Sequence, residues 1–205
     1  MYRFMTFGRY PQSGEESSPI EWLVLDRREN RKLLLSRDCL SVQTYFPVLK
    51  SVRWPESNLR GWILEIFLRR AFTEEERRLI GHPDAPSAAG GTCREDPVFV
   101  LSRSELNFYL PAAADRVALA SANADELLRK RGYIHHDGTC SWWIRPEGAP
   151  NGFKQPVVRR RGNYSTFSCC DLGALVRPAL WLATDDPPPA PPPYPECPPW
   201  LRFGD

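Results

Sequence analysis

Thr139-Cys140-Ser141-Trp142-Trp143-Ile144-Arg145 and, further on, Val176-Arg177-Pro178-Ala179-Leu180-Trp181-Leu182 are the stretches on which the fold of this chain is read. Each is a largely apolar run of strand length. Neighbouring strand residues face opposite sides of a sheet, so of the adjacent tryptophans one ring should face the core and the other the opposite surface. Arg145 and Arg177, set inside these runs, are expected to pair with buried carboxylates and fix their strands. Trp22, Trp62, Trp142, Trp143, Arg145 and Arg177 are therefore read as a structural frame and not as a site.

Working outward, Asp137-Gly138 is a favoured tight-turn dipeptide and separates Tyr133-Ile134-His135-His136 from the tryptophan strand, which predicts a hairpin there. Gln155 to Arg160 reads as a further strand, followed by a polar, small-residue stretch from Gly162 to Gly173. Toward the N-terminus, Ile20, Trp22 and Val24 share one face at period two while Leu23 and Leu25 share the other, which predicts a strand covered on both sides. Lys32 to Ser36 returns as its partner, across a loop of about five residues. Leu59, Trp62, Ile63, Ile66 and Phe67 follow an amphipathic helical stripe, with Ser57 as its N-cap. Thr73-Glu74-Glu75-Glu76 and Ser102-Arg103-Ser104-Glu105 have capping-box spacing and predict two short helices, the second over 103–109. Val98 to Leu101 is a short strand. Ala118 to Lys130 reads as a helix ended by Gly132. Strands and helices are interspersed and joined by hairpins and loops, so the fold class is α+β.

The totals agree with a globular chain. Of 205 residues, 42% are apolar and 25% charged, close to ordinary usage, which favours neither a disordered nor a membrane protein. A net charge of +2 argues against nucleic acid as a general partner. No apolar run approaches the roughly 18 residues that span a bilayer. The N-terminus shows no secretory signal, so a cytoplasmic location without membrane association is expected. The six cysteines fit no zinc spacing and are expected to be free thiols. Residues 1–183 are read as one domain and 184–205 as a proline-rich tail, with Pro187 to Pro193 in an extended polyproline conformation.

The order of motifs resembles an uncharacterised bacterial domain family that runs FG-x-YPQ, PIEW, W-x-x-S-x-LR-x-W-L, AF-x-x-EE, VFLLS-x-x-E, WWLRSPG and GVRPAL. The matching residues here are Phe7 to Gln12, Pro19 to Trp22, Trp54 to Ile63, Ala71 to Glu75, Val98 to Ser102 with Glu105, Trp142 to Arg145 and Val176 to Leu182. The departure is at Pro146, where the family has serine. The C-terminal half of that family is in turn similar to the C-type-lectin-like fold, including the ligand-binding variable proteins of diversity-generating retroelements and, more distantly, formylglycine-generating enzymes. The resemblance implies a lectin-like sheet with short helices, long loops and a changeable binding surface, falling here on 146–173.

On that surface the candidate ligand-binding residues are Asn151, Phe153, Lys154, Arg159, Arg160 and Arg161. Asn163, Tyr164, Thr166, Phe167 and Asp171 complete the set. The ligand expected is a protein or a glycan, with no cofactor. His135, His136, Asp137 and Cys140 lie close in sequence, but adjacent strand residues face apart, so no metal site is expected. No catalytic motif is found, and the chain is read as a binding module without enzymatic activity. Two other readings stay open: a redox enzyme using Cys169 or Cys170, and an adaptor binding through Pro187 to Pro193.

Overall fold

The computed structural model describes residues 3–28, 30–81, 96–133, 137–148 and 152–184. His82, Cys93, Ile134-His135-His136, Asn151, Cys197 and the proline run lie outside them.

The chain opens with β1 (Arg3–Pro11), β2 (Ser17–Arg28), β3 (Arg31–Ser36) and β4 (Ser41–Val42). The helices α1 (Asn58–Trp62), α2 (Leu68–Ala71) and α3 (Glu74–Leu79) follow, then β5 (Ile80–Gly81) and β6 (Val98–Phe99). Next come α4 (Arg103–Tyr109), β7 (Ala118–Leu119) and α5 (Ala122–Lys130). The last third supplies β8 (Thr139–Trp143), β9 (Lys154–Val158), β10 (Tyr164–Ser168), β11 (Ala174–Val176) and β12 (Ala179–Ala183). The result is an α+β fold in which the described strands form two six-stranded sheets. One runs β1-β2-β3-β12-β5, with β6 also on β12; the other runs β10-β9-β8-β11-β4, with β7 on β8.

Period-two alternation feeds two cores. Ile20 and Trp22 of β2 enter the first, together with Leu34, Trp143, Val157, Val176 and Leu180. Leu23 enters the second with Leu35, Trp142, Val158, Leu175 and Trp181. The helices cover the outer sides: Leu59, Ile63, Phe67 and Ala71 close the first core, and Leu106, Ala124 and Leu128 close the second. Strands buried on both faces have little polar alternation, which is why β2, β3 and β12 read as nearly continuous apolar runs. The expectation that one ring of the tryptophan pair faces an outer surface is thereby corrected: both are fully buried, one in each core.

Local signals hold where the chain is locally determined. Ser57 caps α1 by accepting from Arg60 N. Thr73 with Glu76 and Ser102 with Glu105 form complete capping boxes. Gly132 follows α5 with its N–H on Arg129 O, and Tyr133 N donates to Leu128 O, so both end carbonyls are satisfied.

Six further expectations are corrected. The β2–β3 loop is shorter than anticipated, because the strands stay paired as far as Arg28 and Arg31. Ala118–Leu119 is strand, not helix: it pairs with Cys140 and Thr139, and α5 starts only after the Ser121 cap. That pairing gives β8 its neighbour, while Ile134 to His136 are not described. The run from Val176 to Leu182 splits at Arg177-Pro178 into β11 and β12, which belong to different sheets; proline cannot donate to a ladder. The stretch after Gly162, read as irregular, contains β10. Between Ile63 and Phe67 the helix widens to a π-turn, which rotates Ile66 outward to 51% exposure and leaves Trp62 half-buried. Arg145 meets its anticipated carboxylate, with Nη2 2.8 Å from Glu105 Oε2. Arg177 does not. Its Nε and Nη2 donate to Ser36 O and Arg37 O, and its guanidinium lies 5.1 Å from the Trp142 ring centroid.

Candidate functional site

The candidate surface is the β9–β10 hairpin. Tyr164 pairs with Val158, Thr166 with Pro156 and Phe167 with Gln155. Arg159 N donates to Asn163 O and Gly162 N to Arg159 O, closing the connecting turn. Hydrogen bonding alternates along an antiparallel pair. Cys169 N donates to Phe153 O and Asn163 O accepts from Arg159 N, so the odd-numbered residues of this strand face β9. Pro156 O accepts from Ile144 N on the other side. The backbone groups of Tyr164 and Thr166 therefore point away from β9, and among the described strands β10 is a sheet edge.

Several anticipated ligand residues are spent on structure. Buried Arg116 donates through Nε to Gly162 O at 2.9 Å and through Nη1 to Leu110 O and Pro111 O. The Tyr164 ring lies 4.5 Å from the Arg116 guanidinium and 4.7 Å from that of Arg103, and its hydroxyl donates to Asn107 Oδ1. Burial raises the Tyr164 phenol above its ordinary value, opposed by the two arginines. Arg160 ties the hairpin to the start of β8 through Asp137 and Thr139. Thr139, first through its side chain and then its N–H, together with Arg160 brings Asp137 down to about 2. Phe167 lies edge-on to Trp143 at 6.3 Å, with the Arg159 guanidinium over it at 5.1 Å. Asp171 accepts from Tyr133 Oη and Gly173 N.

What faces solvent is narrower than the anticipated set: Phe153, Lys154, Arg159, Arg161, Asn163 and Thr166, joined by Ser165. Asn151 lies outside the described residues. Ser165 lies outside the anticipated set, and its signal in the sequence is the strand composition of Tyr164-Ser165-Thr166-Phe167-Ser168 after Gly162. The three exposed cations flank the edge, and no carboxylate interleaves with them on this hairpin.

Of the four described cysteines, three are buried. Cys169 is fully buried, with Sγ 3.3 Å from Val48 O and 3.4 Å from Lys50 O. Cys140 faces Cys39 in the second core, and that neighbour together with burial pushes its thiol well above the ordinary range. Cys170 is half-exposed beside Ser168 Oγ. Alkylation of the native chain with iodoacetamide, read by peptide mass mapping, should modify Cys170 and spare Cys39, Cys140 and Cys169 until denaturant is added. Native-state labelling of Cys169 would restore it as a redox candidate. Among the described residues no three His, Cys, Asp or Glu side chains cluster to hold a metal ion, and no helix is long and apolar enough to cross a membrane.

No curated protein and no solved structure matches the chain. A family model matches residues 29–184, which takes in β3 through β12 and leaves β1 and β2 ahead of it. The chain belongs to the family DUF6273, a domain of unknown function.

Proposed function

We propose that this chain is a binding module without catalytic activity, taking an extended, acidic peptide segment of a protein ligand as an added strand along β10. The observation that carries the reading is the edge at Tyr164 and Thr166, which no other described strand pairs with, and the exposed Lys154, Arg159 and Arg161 around it. Main-chain hydrogen bonds to an edge supply affinity, and alternate side-chain contacts supply selectivity. Cations beside the edge favour acidic ligands and disfavour pairing with a second copy, whose β10 would bring the same cations. The likeness of the sequence motifs to the C-type-lectin-like fold and to the variable proteins of diversity-generating retroelements supports a binding role on this segment, with the ligand taken by a strand edge in place of irregular loops. Redox use of Cys169 is the weaker alternative, because its thiol is enclosed by backbone carbonyls.

Selection of displayed random heptapeptides on the purified chain tests this reading. Recovered peptides should be enriched in Asp and Glu and should lose at least tenfold in affinity against Thr166→Pro. Thr166 N–H points out of the sheet, so proline removes a docking donor without breaking a ladder bond, and the melting temperature should stay close to wild type. Acidic peptides that bind Thr166→Pro as tightly as wild type, or a selection that yields none, would overturn the proposal.

A further inference from the structure

On the first core's side, the loop after β4 and the helix α1 enclose a groove of about 400 Å³ lined by Gln43, Thr44, Ser57, Asn58, Gly61, Trp62, Glu65 and Ile66. Its size falls in the range of small-molecule sites. Its walls combine one aromatic ring with a rim of amide, hydroxyl and carboxylate groups. Trp62 packs against Phe67 at 5.8 Å and is half-buried at the groove. The Gln43 amide nitrogen is only weakly engaged, 3.3 Å from Ser41 Oγ. The rim is held from beneath, because the Trp143 indole N–H donates to Gln43 O at 2.8 Å and Leu59 N donates to Tyr45 O.

Two local features of the chain leave this space open. Gly61 sits inside a helical turn, where glycine is less stable than alanine, yet a Cβ built there meets nothing within 4 Å. No packing or backbone constraint demands the glycine; what its missing side chain does is leave the groove unfilled. Immediately after it the helix widens into the π-turn Ile63–Phe67, a less stable geometry that recurs at functional sites and that here carries Glu65 and Ile66 on the groove wall.

We propose that this groove binds a neutral saccharide. A half-buried indole beside the Gln43 and Asn58 amides and the Thr44 hydroxyl matches the mixed apolar and hydroxyl character of a sugar ring, the Ser57 hydroxyl being spent on the cap of α1. The lining has one formal charge, Glu65, and no cation, which disfavours phosphorylated, sulfated and carboxylated ligands. The site is separate from the β10 edge and does not depend on it.

The test is a titration of the full chain with a panel of neutral methyl glycosides and N-acetylhexosamines, their di- and trisaccharides, and the matching uronic acids and sugar phosphates. Saturation-transfer NMR and tryptophan fluorescence provide the readouts. At least one neutral sugar should bind and quench fluorescence, and its acidic counterpart should bind at least tenfold more weakly. Gly61→Leu should weaken binding at least tenfold while the melting temperature stays level or rises by about 2–4 °C, since leucine is a better helix former and has open space. Trp62→Ala should weaken it similarly, and Thr166→Pro should leave it unchanged. No saturable binding by any neutral sugar at 10-millimolar order, undiminished binding by Gly61→Leu, or preference for the acidic sugars would each overturn the assignment.

Discussion

Trp143→Ala is expected to destabilise the protein by about 3–5 kcal/mol, the cost of emptying a large aromatic site in a close-packed core. The ring is fully buried, 5.9 Å from Tyr45 and 6.3 Å from Phe167, and its N–H satisfies Gln43 O. Alanine thus removes apolar contacts on two sides and leaves a carbonyl without its donor. For a chain of this size the melting temperature should fall by about 6–20 °C. Trp62→Ala, at a half-buried ring, supplies the control and should cost much less. Equal urea midpoints for the two variants would mean that burial is not what makes Trp143 important. Trp143→Phe should recover most of the packing but not the hydrogen bond.

The second large effect is expected at Gly162. Its φ is +80°, and a Cβ there would stand 1.7 Å from Ala113 O and 2.6 Å from its carbonyl carbon. Both obstacles are backbone, so Gly162→Ala cannot be relieved by a side-chain rotation. The hairpin turn must move away from the 113–116 segment, and Arg116 then loses Gly162 O as an acceptor while its charge stays buried. Left-handed strain and a broken charge-assisted hydrogen bond together predict a loss of about 2–4 kcal/mol. Gly152→Ala, at φ +57° with nothing within 4 Å, isolates the strain and should cost about 1 kcal/mol. A denaturation midpoint for Gly162→Ala no lower than that of Gly152→Ala would remove the role given to the Ala113 contact. Displacement of this turn should also weaken peptide docking on β10, which begins two residues later.

The two substitutions mark the boundary of what is legible in the sequence. Caps at Ser57, Thr73 and Ser102 and the glycine stop at Gly132 are settled within a few residues, and they read correctly. So does the two-sided alternation of Ile20 to Leu25, because each side chain is placed by its own strand. Ala118–Leu119 reads as helix because alanine-rich sequence favours it; its strand geometry comes from pairing with Cys140 and Thr139, more than 18 residues away. Arg177 finds backbone carbonyls in place of a carboxylate for the same reason, since Ser36 and Arg37 are 141 and 140 positions distant. On the candidate surface the exposed cations were visible, but the division of labour among them was not. Arg160 and Tyr164 belong to the scaffold once Asp137, Arg103 and Arg116 arrive, and only three-dimensional pairing exposes β10 as an edge. The saccharide groove left one trace in the sequence, a glycine within an otherwise helical stripe.

The passage from β11 to β12 through Arg177-Pro178 governs when this chain can fold during its own synthesis. β11 lies between β8 and β4, and β12 lies between β3 and β5, so each sheet needs a strand made after residue 173. A nascent chain of 170 residues therefore holds β3 paired with β2, and β8 paired with β7 and β9, each still lacking one neighbour, and both cores wait for strands not yet translated. Folding is set to be late and cooperative, with the long-range pairings that slow a chain's search. Until those strands are made, Leu33-Leu34-Leu35 and Trp142 lack the neighbours β12 and β11 that pair with them in the finished sheets.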